Sequence, residues 1–206
     1  MWNSMKRKRS ARNRRARRCL FLILLALLAL LLIWPRTVHL EGLVSPYAIL
    51  VDADSGEAVA EKKADVSIYP ASMTKVMTAL LALEANPDLE QPVTLPEDIF
   101  PELRAEGASM AGFQPGETAT VRDLLYGALL PSGAECCEAL AREVSGSEEA
   151  FVELMNQKAA ELGMRSTHFC NPTGLHDPEH VSTVRDMARL LRAAMQNETL
   201  RAILSA

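Results

Sequence analysis

The chain has 206 residues, of which 49% are hydrophobic, 23% charged and 5% aromatic; that suffices for one domain with a core and is too short for two large ones. Ten Gly, eleven Pro and four Cys exclude collagen-like, low-complexity and disulfide-dense chains. The net charge of −4 is uneven, because residues 1–18 hold nine Lys or Arg and no acid, which leaves −13 on the remainder.

A basic arm on an acidic body is one signature of a nucleic-acid tail, but the next segment argues against that partner. Residues 19–34 (CLFLILLALLALLLIW) are sixteen uncharged, Leu-rich positions. As a helix they span ~24 Å, short of a ~30 Å bilayer core but at or beyond the ~7–15 residues of a signal-peptide core. Snorkelling Arg side chains can make up the difference. The stretch is apolar on every face, unlike an ordinary amphipathic helix. The expected organisation is a basic cytoplasmic arm (1–18), a transmembrane signal anchor (19–34) and an extracytoplasmic remainder, as the positive-inside rule requires. No A-x-A-like cleavage site lies between Trp34 and Ser45, so the anchor is expected to be retained in a bacterial cell membrane. Cys19 follows Arg17 and Arg18, which does not fit a lipoprotein.

Residues 35–46 read as a linker. Residues 47–51 and 58–62 read as a hairpin around Asp54-Ser55-Gly56-Glu57. Pro70 precedes a helix expected over 72–85 and closed by Asn86-Pro87. Residues 87–119, with Pro87, Pro92, Pro96, Pro101 and Pro115, read as turns. Thr120-x-x-Asp123 opens a helix over 121–130 in capping-box style, and a second is expected over 132–144. Ser147, Glu148 and Glu149 open a third, with Phe151, Met155, Ala159 and Leu162 on one stripe and Gly163 at its end. Residues 164–180 read as loop or short strands. Ser182 or Thr183 caps a last helix with Val184, Met187, Leu191 and Met195 inward. Two strands alone are marginal, and no further strand is evident after Gly174, so the chain reads as unfinished.

Two segments carry chemistry. Ser72-Met73-Thr74-Lys75 is S-x-x-K at a helix start, where i and i+3 share a face. A serine hydroxyl needs a base to become a nucleophile, and an amine whose pKa is lowered by burial can serve. Sixty residues on, Ser132-Gly133-Ala134-Glu135 stands at another helix start. Ser132 there reads as a proton relay or as the cap of its own S-x-x-E capping box, and the two roles are not exclusive.

The set S-x-x-K with further Ser and Lys motifs belongs to β-lactamases and penicillin-binding proteins. Residues 70–83 (PASMTKVMTALLAL), 106–116 (EGASMAGFQPG), 121–133 (VRDLLYGALLPSG), 151–163 (FVELMNQKAAELG) and 167–177 (THFCNPTGLHD) resemble, in order, segments of serine-type D-alanyl-D-alanine carboxypeptidases, the low-molecular-mass penicillin-binding proteins. The resemblance implies an α+β, β-lactamase/transpeptidase-like fold: a sheet flanked by helices, with an all-helical lobe carrying Ser132, over a partial catalytic domain at 47–206. It implies Ser72 as nucleophile, Lys75 as its base and Ser132 as relay to the leaving amine. The backbone N–H of Ser72 would form half of an oxyanion hole. The substrate would be the peptidoglycan pentapeptide, with β-lactams as acylating inhibitors, and no cofactor or metal is expected.

Two departures from the family pattern stand out. Ala134 occupies the place of a motif Asn, and Glu135 beside it would favour a protonated Lys75. No Lys-Thr-Gly triplet exists in the sequence; Pro172-Thr173-Gly174 lacks the Lys and reads as a decoy. The chain is therefore expected to be a fragment of a longer product, truncated before that motif, and inactive by itself. A class A-like β-lactamase and a non-catalytic cell-wall-binding homologue are the rival readings. His39, His168, His176 and His180 read as loop histidines, since Pro178 breaks the one i, i+4 pair. Outside the membrane, Cys136 or Cys137 could bridge to Cys170 or all three could be buried thiols.

Overall fold

The computed structural model describes residues 38, 40 and 42–206. The basic arm, the apolar segment at 19–34 and residues 35–37, 39 and 41 of the linker lie outside the described residues. Among the described residues no helix is long and apolar enough to cross a membrane.

Strands β1 (Ala48–Val51) and β2 (Ala58–Lys62) pair antiparallel, with an irregularity between Leu50 and Val51. The Asp52 carboxylate closes the connecting turn by accepting from the Ser55 N–H and hydroxyl, each at 2.8 Å. The hairpin is the two-stranded unit that the turn chemistry implies. It leans on a late helix, α6 (Val184–Gln196). Arg192 donates to the carbonyls of Ala53 and Asp54 in the turn, and Arg185 spans Glu61 and Asp65.

Beyond the hairpin the chain is mostly helical. A 3-10 turn, Ala71–Thr74, runs into α1 (Lys75–Ala85). Residues 77–83 of α1 are all buried, which places this helix at the centre. Across it lies α4 (Ala134–Ser145), buried from Ala134 to Ala141. Around this pair stand α3 (Val121–Leu129) and α5 (Glu148–Glu161). Leu124, Leu125, Leu140, Phe151 and Met155 interlock with Met77 in one core. Thr120 caps α3 in a full capping box with Asp123, and Ser147 caps α5, as their sequences predict.

Four expectations need correction. The turn-rich stretch 87–119 also contains β3 (Pro92–Thr94) paired with β4 (Thr118–Thr120), and α2 (Ile99–Ala105) between them. Pro101 is admissible there because it sits in the first turn, where no N–H is needed. The N-cap of α4 is Gly133, not Ser132. α6, capped by Thr183, turns Met187, Leu190 and Ala194 inward and leaves Leu191 46% exposed. It is not the last helix, since Asn197 caps α7 (Glu198–Leu204).

Candidate active site

Ser72 and Lys75 are set by the way the chain enters α1. Ala71 has φ of 50°, a left-handed conformation that costs a non-glycine residue about 1–2 kcal/mol. The following turn is 3-10, in which side chains at i and i+3 eclipse. Ser72 therefore stands exposed at the surface directly over Lys75, the first residue of α1, which is 4% exposed. Lys75 Nζ lies 3.2 Å from Ser72 Oγ and donates to the Thr173 carbonyl at 2.7 Å.

Burial pushes the Lys75 ammonium below the ordinary lysine pKa, while Cys137 and Glu135 act in the opposite direction. The Cys137 thiol is itself pushed up to about 12, chiefly by burial. It is uncharged near neutrality and its opposition vanishes there. The contest at Lys75 is thus between burial and the Glu135 carboxylate. Glu135 is fully buried; its Oε1 accepts from the Gly112 N–H at 2.8 Å, and its Oε2 has no partner.

Ser132 Oγ lies 3.0 Å from Ser72 Oγ. It occupies a left-handed position, φ 65°, in the link between α3 and α4. That link is pinned from both sides: the Gly133 N–H donates to the Gly127 carbonyl and the Ala134 N–H to the Ser109 carbonyl, each at 2.8 Å. A Cβ on Gly133 would meet Ala111 and the Gly127 carbonyl, so only glycine permits this approach. The capping-box alternative for Ser132 fails, because its hydroxyl faces Ser72 and Glu135 is committed to Gly112.

The floor of the site comes from Asn171-Pro172-Thr173-Gly174. Asn171 Oδ1 accepts from the N–H groups of Thr173 (3.2 Å) and Gly174 (2.7 Å) and folds the segment into a tight turn. Thr78 donates to the Pro172 carbonyl at 2.6 Å. Gly174, with φ of 80°, packs against the Ala71 carbonyl so closely that a Cβ has no room. The Pro-Thr-Gly triplet is no Lys-Thr-Gly, but neither is it a mere decoy, since its backbone positions Lys75.

His180 does lie in a loop, as expected, but in a buried part of it. It is 2% exposed, with Nε2 2.9 Å from Thr74 Oγ1, and its Nδ1 accepts from the Cys170 N–H at 3.2 Å. That acceptor role puts the proton on Nε2. Burial holds its pKa down at about 4. Cys136, Cys137 and Cys170 are free thiols, the first two buried. Sequence reading passed over Asn171, Thr173, Gly174 and His180. The Asn-Pro-Thr-Gly run carries a turn signal that could have pointed to the first three; nothing local marks His180.

The arrangement can move a proton. A neutral amine whose N–H is taken up by the Thr173 carbonyl keeps its lone pair for the Ser72 hydroxyl. Ser132 offers a second hydroxyl in contact with the same oxygen.

A family model described as D-alanyl-D-alanine carboxypeptidase, peptidase S11, matches residues 36–204. The chain belongs to the peptidase S11 family. It is 37% identical over 153 residues to the D-alanyl-D-alanine carboxypeptidase DacF of Bacillus subtilis, covering 74% of this chain and 39% of that protein. With DacB2 of Mycobacterium tuberculosis, another D-alanyl-D-alanine carboxypeptidase, it shares 39% identity over 151 residues, 72% of this chain and 50% of the relative. Penicillin binding protein 6B of Escherichia coli superposes with a TM-score of 0.77 at 28% identity, over 84% of this chain and 56% of that one. The Streptomyces K15 DD-transpeptidase gives 0.71 at 33% identity, over 76% and 62%. The chain thus spans about two-fifths to a half of the length of these curated relatives. Its α+β architecture is that of the S11 transpeptidase-like fold.

Proposed function

We propose that Ser72, Lys75 and Ser132 are the acylation machinery of a D-alanyl-D-alanine carboxypeptidase acting on peptidoglycan stem peptides outside the membrane, with residues 19–34 as anchor. The observation that carries this reading is the convergence of two hydroxyls and a buried amine within 3.2 Å contacts from segments sixty residues apart. Lys75 accepts the Ser72 proton as Ser72 Oγ bonds to the carbonyl carbon of the penultimate D-alanine. The C–N bond then breaks, and Ser132 passes a proton to the departing amine of the terminal D-alanine. Water, deprotonated by the same base, attacks the acyl-enzyme and restores the Ser72 hydroxyl. A β-lactam follows the first half of this path and stays on Ser72, because its opened ring retains the leaving amine.

The 206 residues contain no Lys-Thr-Gly triplet, the motif whose strand supplies the second oxyanion donor in the family. One such donor is worth about 10²–10³ in rate. The test is incubation of the chain with a fluorescent penicillin, with the adduct located by peptide mass mapping and DacF as reference. Labelling of Ser72 at a rate lower by roughly that factor, abolished in Ser72→Ala, is expected. Label on another residue, or equal labelling of Ser72→Ala, refutes the assignment.

A further inference from the structure

The turn that carries Ser72 is strained and must be held. Ala71 is left-handed, with φ of 50°, and a non-glycine residue keeps that conformation only where its surroundings over-determine it. Two tethers bracket the turn, and both come from the 168–182 segment. Before it, Ile68 and Ser182 exchange backbone hydrogen bonds at 2.8 and 2.9 Å. After it, His180 Nε2 donates to Thr74 Oγ1 at 2.9 Å. Thr74 stands between Ser72 and Lys75 and is fully buried. It occupies the N-cap position of α1, yet its hydroxyl makes no cap bond and meets His180 instead.

His180 is fixed on its other side as well. Its Nδ1 takes the Cys170 N–H, one residue before the turn that presents the Thr173 carbonyl to Lys75. Its ring packs edge-on against Phe169, with centroids 5.6 Å apart. Asn156 of α5 grips the Phe169 backbone through both its N–H and its carbonyl, at 2.9 and 2.8 Å. We propose that His180 is a positioning residue for acylation: its hydrogen bond to Thr74 holds the strained entry turn so that Ser72 stays over Lys75. It touches no reacting atom and transfers no proton. The inference rests on Ser72 and Lys75 being nucleophile and base. Without the bond, Ala71 relaxes toward the right-handed region and the eclipsed i, i+3 pair separates.

Two amides make the test. His180→Gln places an N–H where Nε2 stands, whereas His180→Asn is too short to reach Thr74 and keeps only an oxygen in place of Nδ1. Acylation by a fluorescent penicillin is followed to saturation in the full chain in nonionic detergent. His180→Gln is expected to acylate about tenfold faster than His180→Asn, the worth of one such hydrogen bond. The difference should lie in the rate constant at saturating penicillin and not in the half-saturating concentration. In a Thr74→Val background, which removes the acceptor, the two variants should be equal. Hydrogen exchange, which needs no catalysis, should run about tenfold faster over residues 71–75 in His180→Asn than in His180→Gln. Equal acylation by the two variants, or a His180→Gln advantage that survives Thr74→Val, overturns the inference. If the wild type itself leaves Ser72 unlabelled, the catalytic reading fails, and equal exchange in the two variants still overturns the tether by itself. Should His180→Asn not fold, Thr74→Val is compared with Thr74→Ser, which keeps the hydroxyl; equal rates there are equally fatal.

Discussion

Single atoms decide the chemistry of this site. Lys75 has no formal partner charge within ion-pair distance among the described residues; it has a hydroxyl and a carbonyl. Burial then tilts it toward the neutral amine that a base requires. Removing the Glu135 charge should tilt it further: Glu135→Gln is expected to shift the acid limb of the penicillin-acylation profile to lower pH, measured as label rate against pH. Gly174 is the steric counterpart. With φ at 80° and the Ala71 carbonyl against its Cα, Gly174→Ala should cost at least about 2 kcal/mol in urea unfolding and slow labelling at Ser72. His180 carries a pH signature. Its folded pKa of about 4 lies below an unfolded value near 6.5, so the unfolded state binds the extra proton between them. Its stabilising contribution is complete above pH ~6.5 and shrinks as pH falls toward 4, by up to about 3 kcal/mol. The stability difference between the wild type and His180→Asn, followed by urea melts from pH 8 to 4, should narrow over that window and stay constant above it.

At the scale of elements, most boundaries follow local rules. Thr120 and Asp123 form the capping box that their spacing implies; Thr120→Ala should destabilise by about 1 kcal/mol, read as a lowered melting temperature without change in penicillin labelling. The hairpin, the start of α5 at Ser147 and the end of that helix at Gly163 were legible for the same reason: each depends on residues within a few positions of itself. Where reading fell short, the competing signal was tertiary. β3 and β4 are three residues each and twenty-odd positions apart, so no window contains both partners. The inward face of α6 slipped by a position at Leu191 because Leu190 and Leu191, at i+3 and i+4 from Met187, both fit a helical stripe, and only the packed core selects Leu190. Ser132 looked like a cap since S-x-x-E is a cap pattern, yet the pinned link puts Gly133 there instead.

For the molecule as a whole, α1 is the axis. It brings Ser72 and Lys75 on its entry turn, receives α4 along its length, and is tied by Thr78 to the 171–174 turn. The same helix pair therefore builds the core and aims the site. Leu140 on α4 is fully buried in the core around this pair, and Leu140→Ala should lose about 3 kcal/mol while reducing acylation at Ser72 through displacement of Ser132. Circular dichroism melts and penicillin labelling of the same sample separate the two effects. Stability can be restored by lowering temperature; a displaced hydroxyl stays displaced.

By itself the sequence determined the capped helices, the hairpin, the i, i+3 pair of Ser72 with Lys75, and the family kinship, because each is written in neighbouring residues or in ordered segments. Only the tertiary structure decided that Ser132 touches Ser72, that Lys75 is walled in against the Thr173 carbonyl, and that His180 is buried on Thr74. Contacts between distant segments exist only once the whole core has packed, and a side chain's protonation depends on how much water that packing leaves around it.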